Sequence, residues 1–103
     1  MSRTLLSRFD AWVAIGLLGT YTGIERFKAP VLDIFGERNF APVRDNSAMR
    51  AKSLQRVRGS AQIEVPQADH FFSGHEAVLF RDVKIFLDQK LRSIVAEPTA
   101  PHC

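Results

Sequence analysis

The sequence has a single cysteine, Cys103, at the last of its 103 positions. One thiol cannot form an intramolecular disulfide or supply the cysteine pair of a typical metal site. The residue follows Pro-Thr-Ala-Pro-His, which indicates a terminal tail rather than a nucleophile. The cysteine content therefore allows a cytoplasmic location without requiring one.

Long hydrophobic runs are also missing. The apolar run Ala11–Leu18 has only eight residues, and Arg8 and Asp10 interrupt the residues before it. A membrane span needs about 20 apolar residues, and a signal-peptide core needs roughly 7 to 15 before a small-residue cleavage site. We therefore predict a buried strand over Trp12–Leu18 and expect no membrane association.

The sequence is mildly basic, and no nucleic-acid motif accompanies this charge. The formal net charge is +3, with 46% hydrophobic and 24% charged residues. The sequence contains no RNP, zinc-finger or helix-turn-helix motif and no internal repeat. This composition predicts one small globular domain over 1–95 with a tail over 96–103 and a solvated basic surface. Phosphate binding by the basic stretch Arg44–Arg58 is the less favoured alternative, and no nucleic-acid partner is expected.

Two short apolar stretches follow the first predicted strand. Pro30 introduces Val31–Phe35, which is apolar except for Asp33 and predicts a strand covered on both faces. Asp33 would need a hydrogen-bond partner if it is buried. The stretch Gln62–Val65 alternates and predicts a strand near a sheet edge.

Helical patterns separate and follow these strands. Val43–Val57 predicts one helix with a narrow apolar stripe, and its basic side chains lie mostly away from that stripe: Arg44, Arg50, Lys52, Arg56 and Arg58. A capping box over Ser73–Glu76 predicts the start of a last helix. Its apolar residues recur at helical spacing at Phe80, Val83, Leu87, Leu91 and Ile94. Ser2–Phe9 predicts a short amphipathic helix.

This order of elements predicts an α/β fold with about three parallel strands between helices, a three-layer α/β/α arrangement. Polar chemistry in such folds lies at the carboxyl ends of the strands. The first strand, Trp12–Leu18, would be an exposed edge that another copy or another chain can pair with.

His70 stands in the turn where such chemistry is expected, although a polar loop residue is the plain alternative. His75 is predicted to be a solvated residue of the first helical turn, and Ser73 a cap rather than a nucleophile. His70 and His75 with Asp69 or Glu76 offer no third strong ligand spaced for zinc. We therefore expect no metal and no cofactor.

Several segments together resemble the C-terminal part of α/β-hydrolases. They are Pro30–Glu37, Gln62–Val65, the stretch Ala68-Asp69-His70-Phe71-Phe72 and the helix after it. The nearest resemblance is to a bacterial family of α/β-hydrolase-like proteins, the domain of unknown function numbered 3530. The resemblance spans roughly Trp12–Leu91.

The resemblance implies that His70 is the general base of a serine esterase. The position of the acid falls on Asn39, where a carboxylate is usual. Asparagine can orient an imidazole but cannot stabilise its charged form. Changing the acid to asparagine lowers the catalytic rate of a serine protease on the order of ten-thousandfold. Glu37 or Asp45 could replace the acid only if the loop brings one of them near His70.

The resemblance breaks at the nucleophile, because no serine stands in a Gly-x-Ser-x-Gly turn. It implies acyl-ester hydrolysis by a C-terminal hydrolase part that is inactive alone and completed by another chain. The alternative is a non-catalytic interaction module that forms homo-oligomers or complexes through its exposed sheet edge.

Overall fold

The protein is described by a computed structural model over residues 11–26 and 28–99. The predicted helix Ser2–Phe9 and the last four residues of the predicted tail lie outside this range. The elements are β1 (Trp12–Ile15), a 3₁₀ turn (Ile24–Arg26), β2 (Val31–Gly36), α1 (Ala41–Asp45), α2 (Ser47–Leu54), β3 (Ala61–Val65) and α3 (Glu76–Thr99). Across these residues, no helix combines the length and the apolar character of a membrane span.

The three strands form one parallel sheet in the order β1-β2-β3, which confirms the predicted α/β class and the parallel pairing. Trp12 is opposite Val31, and Leu32 is opposite Ala61. All six residues of β2 are buried, as its apolar run predicts for a central parallel strand. Among the described residues, β1 and β3 each pair on one side only.

Strand β1 is shorter than predicted, because it ends at Ile15 rather than at Leu18. Gly16 follows it with a φ of 66°, in the left-handed region that a strand cannot contain. Its N–H still donates to the Ile34 carbonyl at 2.9 Å, so the end of β1 stays tied to β2.

One cluster of buried side chains joins alternate residues of β2 to α3. Leu32 and Ile34 pack with Val65, Phe72 and Phe86, and Val83 and Leu87 of α3 lie against them. Fully burying one such side chain stabilises the fold by about 1.5–3 kcal/mol. This cluster is the larger part of the core.

The last helix differs from its prediction at both ends. It begins at Glu76, so Ser73 precedes the helix and is not its N-cap, and it continues to Thr99 beyond Ile94. Phe80 was predicted to lie on the packed stripe but is 69% exposed, while Phe86 is buried instead. The observed contact face therefore keeps Val83 and Leu87 of the predicted stripe and includes Phe86 in place of Phe80. The boundary between domain and tail stays a prediction.

Val31 of β2 belongs to a second cluster, in which it packs with Ile24, Leu54 and Val57. The predicted helix Val43–Val57 is divided here into α1 and α2 at Asn46, which has φ −98° and ψ 4°. The Asn46 Nδ2 donates to the Pro42 carbonyl at 2.8 Å and to the Leu18 carbonyl at 3.2 Å. The side chain thereby adds to the backbone N–H of Asn46, which still donates to the Pro42 carbonyl at 3.3 Å.

Arg50 corrects the prediction of an exposed basic face, because it is completely buried together with Asp33. Its Nε donates to Asp33 Oδ2 at 2.9 Å, and Gln62 Nε2 donates to the same oxygen at 2.7 Å. The guanidinium also donates to the Gly19 carbonyl. Asp33 Oδ2 thus has two of the donors that a buried carboxylate requires, whereas Asp33 Oδ1 and Arg50 Nη2 are buried without a hydrogen-bond partner among the described residues. Burial, and next the charge of Asp33, raise the pKa of the nearby Tyr21 hydroxyl.

Candidate functional site

The loops that follow β2 and β3 meet at the carboxyl edge of the sheet. Glu37 N–H donates to the Val65 carbonyl at 2.9 Å, and Arg38 N–H donates to the Ala68 carbonyl at 2.8 Å. Gly36 permits this approach, since a Cβ at its position would overlap the Ala68 carbonyl. These contacts bring Asn39 and His70 to one place.

Asn39 and His70, both predicted as site residues, are joined by a hydrogen bond. The distance from His70 Nδ1 to Asn39 Oδ1 is 2.8 Å, across 31 positions of sequence. Asn39 is buried and His70 is half-buried. Each side chain follows a different strand, so the sheet itself sets the geometry of the pair.

The surroundings of Asn39 determine which imidazole nitrogen carries the proton. Its Oδ1 also accepts the N–H of Phe40 at 2.8 Å, and a backbone N–H can only donate. The amide oxygen must therefore face both groups, and His70 Nδ1 must be the donor. In the neutral ring this leaves Nε2 with a free lone pair, the arrangement that a general base needs.

The amide nitrogen of Asn39 has no corresponding partner. Its Nδ2 is buried without a hydrogen-bond partner among the described residues. The local environment thus provides donors for an oxygen at position 39 but no acceptor for an NH₂ group. A carboxylate would satisfy the same two donors without leaving an orphaned donor.

Asp69 shapes the turn that carries His70. Its Oδ1 accepts the N–H groups of Phe71 and Ser73, both at 3.0 Å. These hydrogen bonds, that from Ser73 first, lower the pKa of Asp69 below its ordinary value. The turn is also bounded by two non-glycine residues with positive φ, Gln67 at 64° and Phe72 at 55°. Such strain persists only where surrounding contacts fix the backbone.

Two exposed aromatic rings border the imidazole. The Phe40 ring stacks on His70 with centroids 4.5 Å apart and an interplanar angle of 22°. Phe71 meets the imidazole edge-on at 5.2 Å. Phe40 is 49% and Phe71 73% exposed, so the site presents an apolar surface to solvent beside the imidazole.

The other predicted candidates do not join this pair. Glu37 Oε1 accepts the Gln67 N–H at 2.7 Å, and Asp45 is exposed on α1. In the part of the chain that the structure describes, neither carboxylate hydrogen-bonds to His70. His75 bonds locally, with Nδ1 3.1 Å from the Ser73 carbonyl. Residues 11–26 and 28–99 contain no group of three or more potential metal ligands.

Sequence reasoning missed three residues that lie against the imidazole ring of His70: Gly16, Phe40 and Phe71. Phe40 and Phe71 each follow a predicted site residue directly, and that adjacency was an available signal. Gly16 had no such signal, because it lies 54 positions before His70 in the sequence and comes close to the imidazole only through the pairing of strands in the sheet.

Comparison with known proteins found no match of this chain to a family model, a curated protein or a solved structure. The chemistry of the site must therefore be argued from its geometry. An oriented imidazole with an accessible acceptor nitrogen can remove a proton from a hydroxyl or a water and return it to a leaving group.

Proposed function

We propose that this chain is a C-terminal part of an α/β-hydrolase-like esterase, with His70 as the general base and Asn39 as its orienting partner. In this proposal the helices cover both faces of the sheet, which gives the three-layer arrangement of such folds. The observation that carries the proposal is the 2.8 Å hydrogen bond between the two side chains at the carboxyl ends of neighbouring strands.

The proposed reaction is hydrolysis of an acyl ester. His70 Nε2 takes the proton from an attacking hydroxyl as its oxygen bonds to the carbonyl carbon, and the imidazolium then gives that proton to the leaving alkoxide. A water, deprotonated by Nε2 in the same way, then attacks the acylated hydroxyl, and the acid is released as the proton returns to the hydroxyl oxygen. Asn39 keeps Nδ1 protonated and the ring in place, but it contributes no charge against the imidazolium. Efficient turnover therefore requires more than this pair.

The nucleophile is the element that these 103 residues do not supply, because no Gly-x-Ser-x-Gly sequence occurs among them. A serine from a further segment or another chain would complete the site. Phe40 and Phe71 border the imidazole with apolar surface, which favours an ester with an apolar acyl or alkyl group.

An activated ester tests the base directly, since its good leaving group allows an imidazole to act without a serine. Hydrolysis of p-nitrophenyl acetate should be compared for the wild-type chain, His70→Ala and the matched control His75→Ala. We expect wild type and His75→Ala to share a rate that His70→Ala loses. Equal rates for all three proteins would contradict a base at His70.

The edge of β1 favours a second candidate function, association with another copy or another protein. Residues 11–19 carry no charge, and Ile15 is 50% exposed at the end of β1. Edge strands without charged residues are suited to pairing. Analytical ultracentrifugation should show association that Ile15→Lys removes and Ile85→Lys, at an equally exposed position of α3, retains. A monomeric wild-type chain at high concentration would contradict this alternative.

A further inference from the structure

We propose that Gly16 is a positioning residue for His70. Its missing side chain leaves the space in which the imidazole reaches Asn39. Only the chemical role of His70 in this inference rests on the proposed function, because the packing of the imidazole against Gly16 follows from the geometry alone. It adds β1 to a site that otherwise consists of the loops after β2 and β3.

The space beside Gly16 is filled by the imidazole. A Cβ at residue 16 would lie 2.9 Å from His70 Cε1 and 3.0 Å from His70 Nδ1, and 3.5 Å from Asn39 Nδ2. Non-bonded carbon atoms pack at about 3.5–4.0 Å. A methyl group therefore cannot be added here unless the ring or the backbone moves.

The backbone at Gly16 has little freedom to move. Its N–H donates to the Ile34 carbonyl at 2.9 Å, and Ile34 is a buried residue of the central strand. The imidazole is the more mobile of the two groups, because a single side-chain hydrogen bond and a partly exposed ring contact hold it. An added methyl group should therefore displace His70 and lengthen its hydrogen bond to Asn39.

Glycine also satisfies the backbone at this position, with a φ of 66°. An alanine there would be strained even without a neighbour, so the experiment must separate strain from contact. Gly23 provides the matched control. It has a φ of 72°, and within the described part of the chain no atom other than those of its chain neighbours lies within 4 Å of the place where its Cβ would be.

A double-mutant cycle tests the inference through stability. Gly16→Ala and Gly23→Ala are each made in the wild-type chain and in His70→Ala, and unfolding in urea gives the equilibrium constants. We expect Gly16→Ala to raise the unfolding constant on the order of tenfold more when His70 is present than when it is absent. Gly23→Ala should have the same effect in both backgrounds.

The same set of variants covers the case in which a protein fails to fold. If Gly16→Ala folds only in the His70→Ala background, contact with the imidazole is the cause and the inference holds. If Gly16→Ala has equal effects in both backgrounds, or unfolds both while Gly23→Ala folds, the inference is overturned.

Ring NMR provides a readout that general destabilisation does not produce. In folded Gly16→Ala, we expect loss of the protonated Nδ1 signal of His70, with retention in Gly23→Ala. Unchanged signals in both would overturn the inference. If the double-mutant cycle shows coupling but the ester assay shows no rate that depends on His70, Gly16 remains a positioning residue and His70 is rejected as a base. The two proposals can therefore fail separately.

Discussion

The Asp33–Arg50 pair and the Asn39–His70 pair are two polar contacts supported by the same strand. Asp33 lies within β2 and bonds to Arg50 in complete burial, with Gln62 as an additional donor. Asn39 lies beyond the end of β2 and bonds to His70 at the partly exposed edge of the sheet. Position along one strand thus separates a structural pair from a pair available to a substrate.

The two pairs also differ in what they leave unused. The buried pair leaves Asp33 Oδ1 and Arg50 Nη2 without a hydrogen-bond partner among the described residues, but both atoms lie where no substrate can reach them. The imidazole, in contrast, uses Nδ1 for Asn39 and keeps an acceptor on Nε2 at the partly exposed edge of the sheet. The comparison indicates that a polar side chain near solvent, such as the His70 imidazole with its free nitrogen, points to a reactive residue better than the buried Asp33–Arg50 ion pair does.

The largest effect should come from breaking the buried pair. Arg50→Met leaves Asp33 as an uncompensated buried charge, and such a change typically costs about 3–5 kcal/mol of unfolding free energy. Urea denaturation, with Arg44→Met at an exposed position as the control, checks this. A loss in Arg50→Met no larger than in the control would contradict the structural role assigned to the pair.

A carboxylate at position 39 would test how the Asn39–His70 pair differs from the buried pair. Asn39→Asp should increase the His70-dependent hydrolysis of p-nitrophenyl acetate by about tenfold or more, since a carboxylate stabilises the imidazolium. The gain should stay well below the roughly ten-thousandfold effect in a complete triad. An unchanged rate, with His70→Ala still inactive, would show that position 39 does not act through the imidazole.

Acid should affect the turn that carries His70. The hydrogen bonds to Asp69 lower its pKa, so its contribution to the turn is complete above its unfolded-state pKa, near 4, and is lost as the pH falls through the lower folded value. Backbone NMR signals of Phe71 and Ser73 should shift in that acidic window. Asp69→Asn should remove the shift, and its persistence in that variant would assign it to another group.

The smallest effect should come from Tyr21, at the border of the buried pair. Its hydroxyl is buried without a hydrogen-bond partner among the described residues. Tyr21→Phe should therefore change the unfolding free energy by less than about 1 kcal/mol, because no hydrogen bond is lost. A larger loss in urea denaturation would mean that the hydroxyl supports Asp33 after all.

Local patterns in the sequence predicted the central features of the fold. The apolar run with Pro30 and Gly36 at its ends predicted β2, and alternation predicted β3. Both strands were predicted correctly because each depends on the pattern of neighbouring residues. The resemblance to hydrolases selected Asn39 and His70, which the structure joins by a hydrogen bond. Their catalytic roles stay a prediction.

The predictions that were wrong depend on contacts between distant residues. Helical periodicity assigned Arg50 to the exposed face, because it could not register a buried carboxylate 17 positions away. It also could not show that the side chain of Asn46 interrupts the helix. The spatial relation of Gly16 to His70 arises only when β1 pairs with β2, so no local pattern contains it.

The protonation of the His70 ring tests the central claim most directly. A long-range ¹H–¹⁵N spectrum near pH 8.5, about two units above the ordinary histidine pKa, distinguishes the two neutral tautomers, and His70→Gln identifies the signals. We predict a protonated Nδ1 and an unprotonated Nε2, with Asn39→Ala giving a mixture of tautomers. A protonated Nε2 in the wild-type chain, or no change in Asn39→Ala, would contradict the account of an oriented base.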